Sequence, residues 1–401
     1  MNKNSISKLN RTLIFESGYT GHRSEYISHL MRFINSREYL HGRYIFLLNE
    51  QINSFLGELS SSKHYLIKFT KFEKKYSNSI KRSFGEWQLV SEIIKELHNI
   101  NEMIFMDIDP YLILLIFNRF KKYNLPAKGI LFQPYIHFKE AGGGIPFFIK
   151  KVFKNYLLQK YSVLLNSNIT KLFILNDKES VSILNANIKN IFYNLPDPIE
   201  PTESEVKITK LNTVNNIVKK YAIEVGKKNL LVFGSIDSRK NLINIIDALR
   251  LLPIDIKRDI HLVIAGKFDN NVREKYLEYI QKYKDEISIV YNDGFVNAEE
   301  REPLFEKCDL ILMPYINFYS ASSVLGHTII HNKNVVVSDK GLIGRIVKEH
   351  KIGIAVNTSS PASIKSGIYE LLVNNKSYQY NSKALINLYS PENFCKTILL
   401  N

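Results

Sequence analysis

Cysteine is nearly absent: Cys308 and Cys395 are the only two in 401 residues. Two distant cysteines give neither a disulfide framework nor metal-ligand spacing, so a stapled secreted scaffold and a zinc module are excluded. A reducing cytoplasm is the expected compartment. Long apolar runs are missing as well. The longest, Tyr111 to Phe117, falls far short of the ~20 residues that cross a bilayer. The opening MNKNSISKLNRTLIF has charges but no extended apolar core or small-residue cleavage site, so no secretion signal is expected. There is no Walker phosphate loop, no recognised nucleic-acid motif, no internal repeat and no low-complexity tract.

What is present is a globular composition, 45% hydrophobic and 12% aromatic, in a chain long enough for two domains with sizeable cores. The net charge is +15. Residues 1–200 hold 27 Lys and Arg against 17 Asp and Glu; the remainder hold 27 against 22. The excess sits mainly in the first half. Such a balance suits anionic partners such as phosphorylated ligands or an acidic membrane surface, and is equally met by a Lys-rich proteome. No nucleic acid is expected as a partner.

Short apolar runs alternate with longer helical patterns. In the first half the strand-like runs are 12–17, 42–49, 102–108, 128–135, 171–176 and 190–196; in the second they are 229–234, 259–266, 287–295, 308–315, 334–339 and 353–357. Continuous apolar runs separated by helices predict parallel sheets covered on both faces, hence an α/β chain of two doubly wound, Rossmann-like domains. Asn194 to Val206, with three prolines and four acidic side chains, marks the boundary. The expected division is an N-terminal domain over 1–200, a linker over 201–228 and a C-terminal domain over 229–389. A final helix over 390–401, with Ser390 as cap and Pro391 in its first turn, is expected to pack back on the first domain.

Open parallel sheets bind ligands outside the carboxyl ends of their strands, so the loops that follow strands carry the candidates. After the first strand come Gly18, Gly21 and then His22, Arg23 and Glu25 at a helix start. The glycines free backbone amides for a ligand; the bland reading is a glycine turn with solvated charges. His137 lies beyond the run 128–135, just before Gly142 to Gly144, where an imidazole can hydrogen-bond a sugar hydroxyl or move a proton near neutral pH. Past the boundary, Gly234 ends a strand, Ser235 and Asp237 follow, and Ser238 is expected to cap a helix opening with Arg239 and Lys240. Amides and two cations there suit a diphosphate. In FYSASSVLGHTIIHNKNVVVSD, from Phe318 to Asp339, Ser322 and Ser323 stand at the mouth of another helix, and no carboxylate accompanies them. Ile145 to Tyr161 is basic and amphipathic, suited to an anionic membrane or to a surface helix packed on its sheet.

From VFGSIDSRKNL through IHLVIAGKF, DGFVNAEEREPLFEKCDLILMPY, VVVSDKGLIGRIV and IGIAV, the order of segments resembles the donor half of GT-B glycosyltransferases of family 4. The resemblance covers about 130 residues, Phe233 to Ile364. It implies two Rossmann-like domains facing a central cleft, a nucleotide-diphosphate sugar bound by the second, a glycan or lipid-linked acceptor bound by the first, no metal or other cofactor, and retention of anomeric configuration. Lys240 matches the family's phosphate lysine. Ser235 stands where the family has arginine, and Arg239 is the nearest guanidinium. Phe295 and Val296 match the segment beside the nucleotide base, and His137 matches the first-domain histidine that contacts the transferred sugar. The family also has two glutamates eight positions apart, where this chain has Tyr319 and His327. Here it resembles a divergent branch that shares Ser-Ser-Val-Leu-Gly and Gly-Leu-Ile-Gly-Arg.

The expected function is therefore nucleotide-sugar glycosyl transfer in the biosynthesis of cell-surface polysaccharide or glycoconjugate, by a cytoplasmic protein placed peripherally at the inner face of the plasma membrane. The alternative is a degenerate GT-B protein that binds nucleotide or glycan as a non-catalytic partner subunit.

Overall fold

The computed structural model describes residues 10–19, 22–72, 79–97, 99–117, 125–139, 148–200, 210–224, 226–373 and 378–400. Gly21, the glycines at 142–144, and residues 145–147 of the basic segment lie outside them. The chain forms two compact units, Met1–Pro198 with Ser390–Asn401, and Ile199–Tyr389.

The first unit holds seven parallel strands: β1 (Arg11–Glu16), β2 (Tyr44–Asn49), β3 (Leu66–Thr70), β4 (Ile100–Phe105), β5 (Ala127–Ile130), β6 (Ile169–Leu175) and β7 (Phe192–Leu195). Their order is β3-β2-β1-β4-β5-β6-β7. Successive side chains of a strand point to opposite faces. Leu13 and Phe15 enter a layer with Met103, Phe105, Trp87 and Tyr111, whereas Ile14 joins Ile27, Ile104, Ile130 and Phe173. Both faces are covered, which is why the strands read as unbroken apolar runs. The C-terminal helix Pro391–Leu400 belongs to this unit, with the Phe394 ring 4.8 Å from that of Tyr26.

The second unit holds six parallel strands: β8 (Lys228–Phe233), β9 (Ile260–Ala265), β10 (Ser288–Asn292), β11 (Leu310–Met313), β12 (Asn334–Ser338) and β13 (Gly353–Val356), in the order β10-β9-β8-β11-β12-β13. Leu231, Ile311 and Val335 face one layer; Leu230, Leu310 and Val336 face the other. Helix Lys210–Lys220, within the stretch expected as linker, belongs to this unit.

Two doubly wound parallel sheets are thus present. Twelve strands fall on the expected runs. The thirteenth, β3, was not expected: it is a half-exposed edge strand with Lys68 at its centre, and it lacks the apolar run that marks the others. The run 128–135 is also not one strand. It breaks after Ile130, and a short helix, Tyr135–Lys139, carries His137. In each sheet the order reverses once, between β1 and β4 and between β8 and β11. Such switch points are where open α/β sheets place ligands.

Candidate functional site

The switch point of the second unit is built on close backbone approach. Gly234, just past β8, has φ +99°, and Gly266, just past β9, has φ +149°. A Cβ on Gly266 would lie 1.7 Å from the Gly234 carbonyl oxygen, so the two strand ends leave no room for a side chain. The chain then turns through Ser238–Lys240. The Asp237 carboxylate, not Ser238, caps this turn by accepting from the Arg239 amide, and Asn241 in a left-handed conformation delays the helix to Leu242–Arg250. The helix expected to open at Arg239 therefore starts three residues later.

That delay turns Lys240 inward. Its side chain is buried, and its Nζ donates to the Phe233 carbonyl and to the Tyr315 hydroxyl, both at 2.6 Å. Burial pushes the amine down to about 7, against the pull of Asp237. Arg239 turns the other way: its guanidinium forks onto the Asp237 carboxylate at 2.6–3.1 Å and stands half-exposed. Ser235 is exposed.

Tyr315 follows β11 and is buried; burial raises its phenol, and the Ser322 side chain acts on the same phenol in the opposite direction. Ser322 precedes helix Ser323–Ile330 with extended backbone and makes no side-chain cap. A Cβ on Gly234 would lie 3.5 Å from Lys240 Nζ and 4.0 Å from Val324 Cγ2. The structure thus brings together Gly234, Lys240, Tyr315 and the start of helix Ser323–Ile330. Amides at a helix start beside a lysine, with a glycine leaving the approach open, form a seat for an anion.

Tyr319 lies against Gly341: its carbonyl accepts from the Leu342 amide at 3.1 Å, and a Cβ on Gly341 would come 2.8 Å from Tyr319 Cα. His327 sits in the second turn of its helix with its ring 5.6 Å from that of Phe305. Phe295, in the loop after β10, is 86% exposed, and Val296 is half-buried.

The first unit has its own polar switch point. Glu16 closes β1 and Asp107 follows β4. Arg23 joins them, with Nη1 2.7 Å from Glu16 Oε1 and Nη2 2.5 Å from Asp107 Oδ2. It is therefore not a solvated charge, as the bland sequence reading held. Glu16 also accepts from the Gly18 amide at 2.6 Å, and a Cβ on Gly18 would meet the Arg23 side chain at 2.5 Å. Gly18 is what lets the arginine pass under the loop. Asp109 accepts from the Phe132 and Gln133 amides at 2.7 and 3.3 Å, tying the end of β5 to the same group. Burial pushes Glu16 up to about 7, and Asp107 adds to it, while Arg23 opposes. Burial raises Asp107 and Asp109 in the same direction. His22 opens helix His22–Asn35.

His137 is buried, and its Nε2 lies 2.7 Å from Asp177 Oδ2. Asp177 caps helix Lys178–Asn187 through the Ser180 amide and also accepts from the Ser180 hydroxyl at 2.6 Å. Sequence reasoning missed Asp177, Glu16, Asp107 and Tyr315. Each lies at, or within two residues of, the end of an apolar strand, and that position was the available signal. Among the described residues there is no group of three or more His, Cys, Asp or Glu that could hold a metal ion.

Residues 213–386 match the family model described as "Glycosyl transferases group 1". An uncharacterised glycosyltransferase of Methanocaldococcus jannaschii is 24% identical over 375 residues, 86% of this chain and 91% of that protein. Among solved structures, WaaG, a glycosyltransferase involved in lipopolysaccharide biosynthesis, superposes with a TM-score of 0.68 at 14% identity over 97% of this chain and 100% of its own. HepE of Anabaena, solved with UDP and glucose, gives 0.64 at 12% identity over 97% of both chains. The sucrose-phosphate synthase of Thermosynechococcus elongatus gives 0.68 at 10% identity, again over 97% of both. At these identities the structural likeness establishes the fold, which is GT-B.

Proposed function

We propose that this chain, a glycosyltransferase of GT-B fold, moves a sugar from a nucleotide-diphosphate donor held by its second unit to a glycan or lipid-linked acceptor held by its first. One observation carries the donor assignment. Gly234, Lys240 and the start of helix Ser323–Ile330 converge at the reversal of the second sheet, inside the region that matches the glycosyltransferase model. The structural neighbour HepE, solved with UDP and with UDP and glucose, supports the same ligand class.

In this reading the acceptor hydroxyl oxygen bonds to the anomeric carbon. The bond from that carbon to the diphosphate oxygen breaks, its electron pair leaves with the diphosphate, and the acceptor proton passes to the departing phosphate. Attack on the face that the diphosphate leaves retains configuration. The protein's part is positioning and charge stabilisation, which Lys240 and the helix amides at Ser322 and Ser323 supply without a metal. Ser235 and Arg239 edge the seat. Phe295 and Val296 are assigned to the base, Tyr319 and His327 to the sugar or ribose. His137, held by Asp177, is assigned to the transferred sugar, and the loop of Gly18, Gly21 and His22 to the acceptor. The role we assign is in cell-surface polysaccharide or glycoconjugate biosynthesis at the inner face of the plasma membrane.

Peripheral membrane contact belongs to the same reading. Along Phe148–Phe153 and Lys154–Leu165, Ile149, Phe153, Tyr161, Leu164 and Leu165 are exposed, interleaved with exposed Lys154 and half-buried Lys160. Apolar side chains interleaved with lysines favour an anionic lipid surface. Among the described residues, no helix is long and apolar enough to cross a membrane.

The test is a thermal-shift screen against UDP-, GDP- and ADP-sugars followed by nucleotide release. A matching donor raises the melting temperature, and Lys240→Ala abolishes turnover. Full turnover in that variant overturns the phosphate assignment. A second reading, binding without transfer, rests on Tyr319 and His327 where carboxylates would contact the sugar. It is favoured if a nucleotide binds and no hydrolysis or transfer follows.

A further inference from the structure

The amine of Lys240 is not held by a carboxylate. Its partners are a backbone carbonyl and a phenol, Phe233 O and Tyr315 Oη, each at 2.6 Å. Tyr315 is itself buried, its ring lies 4.2 Å from Nζ, and the Ser322 side chain at the helix start acts on the same phenol, opposing the effect of its burial. The phenol therefore joins the end of β8 to the mouth of helix Ser323–Ile330. Neither partner carries charge, and the pull of Asp237 offsets only part of what burial costs the charged amine. The charged neighbours are few. Asp237 and Arg239 on the same loop bond each other and act on the amine with opposite signs, Asp237 favouring its charge and Arg239 opposing it, and Tyr276 of helix Asn270–Tyr283 donates to the Asp237 carbonyl. An anion arriving over Gly234 would be the counter-charge that the site lacks.

We infer that Tyr315 is a positioning residue that keeps the Lys240 amine poised between its two protonation states, and that seating an anionic diphosphate beside it takes up one proton from solvent. This rests on the donor reading above. Burial holds the empty-site amine down at about 7. An adjacent diphosphate favours the ammonium, so above that pH each bound donor carries in a proton and affinity falls as pH rises. Below it the amine is already charged and affinity is level. Over the window between the empty and occupied values the loss approaches tenfold per pH unit.

Two measurements test this on the full chain. The first needs no ligand: lysine side chains labelled with 13C at Cε are titrated by NMR. One resonance, absent from Lys240→Met, should turn over near pH 7, and Tyr315→Phe should move its midpoint by more than half a unit. Ser322→Ala, which leaves both direct contacts of Lys240 intact, should move it less. Titration of that lysine near 10, or a midpoint unmoved in Tyr315→Phe, overturns the role of Tyr315. The second measurement uses UDP-glucose, GDP-mannose and ADP-glucose, none of which has a phosphate that titrates between pH 6 and 9. Calorimetry in buffers of different ionisation heat should show close to one proton taken up at pH 8.5 and little at pH 6. A flat affinity across that range overturns the linkage. If Lys240 titrates near 7 and none of the three sugars binds, the donor-site reading itself falls, and the linkage with it.

Discussion

The Nε2 of His137 lies 2.7 Å from Oδ2 of Asp177, both side chains buried, although 40 positions separate them. The carboxylate also receives the Ser180 amide and hydroxyl. Burial pushes Asp177 up, but the hydrogen bonds from His137 and Ser180 outweigh it and hold the carboxyl at about 2. A carboxyl depressed in the folded state contributes stability that is present above its unfolded value near 3.8 and is lost as pH falls through about 2. Asp177→Asn keeps a capping oxygen and loses the charge. It should cost the first unit about 1–3 kcal/mol at pH 7 and much less at pH 2, read from urea unfolding at both. An equal cost at both values would assign Asp177 to capping alone.

Glu16 has the opposite sign. Its folded value is raised to about 7 from 4.5, chiefly by burial. Its contribution is fully present below 4.5 and is lost as pH rises through 7, because the folded chain holds the proton longer than the unfolded one. Asp107 and Asp109 are raised as well and add to the same slope. The first unit should therefore lose stability between pH 5 and pH 7.5. Glu16→Gln, which keeps an acceptor for the Gly18 amide, should reduce that loss without removing it. Guanidinium unfolding at the two pH values gives the comparison, and an unchanged slope in the variant would assign the slope to the other carboxyls.

The strands were legible because both faces of each sheet are covered, so that runs such as NLLVF and IHLVIA carry the fold without help from context. Only β3, half-exposed at its edge, gave no such run. The switch points were half legible. Gly18 and Gly234 announced themselves as glycines after strands, and Lys240 by its place in the next turn. What meets them was not legible. Arg23 finds Asp107 across 84 positions, and Lys240 finds Tyr315 across 75. No local pattern encodes such pairings, because the sheet order makes them. The cap was misread for a local reason: Asp237 and Ser238 are both capping residues, and left-handed Asn241 decides where the helix begins.

Gly266 sets the geometry of the donor seat through what it lacks. Its φ of +149° is strained for any side chain, and a Cβ there would overlap the Gly234 carbonyl. Gly266→Ala must either part the ends of β8 and β9 or shift Gly234. The backbone strain alone costs about 1–3 kcal/mol. The melting temperature should drop, and whatever nucleotide sugar stabilises the parent chain should stabilise the variant less. Retention of the full ligand-induced shift would place the ligand away from Gly234.

Lys240 also has a consequence for folding that needs no ligand. Its amine sits at about 7 in the folded chain against 10.5 when unfolded, with burial as the cause. Between those values the unfolded chain binds more protons, so stability rises with pH across the window, and below about 7 the cost of the buried charge is fully present. Lys240→Met has a similar length and no charge, but leaves the Phe233 carbonyl and the Tyr315 hydroxyl without their donor. The stability of the parent chain relative to this variant should climb between pH 7 and pH 10. Comparing the two chains at each pH cancels the titration of the other lysines and tyrosines. A parallel rise in both would mean that the amine is charged throughout, and that its two hydrogen bonds outweigh its burial.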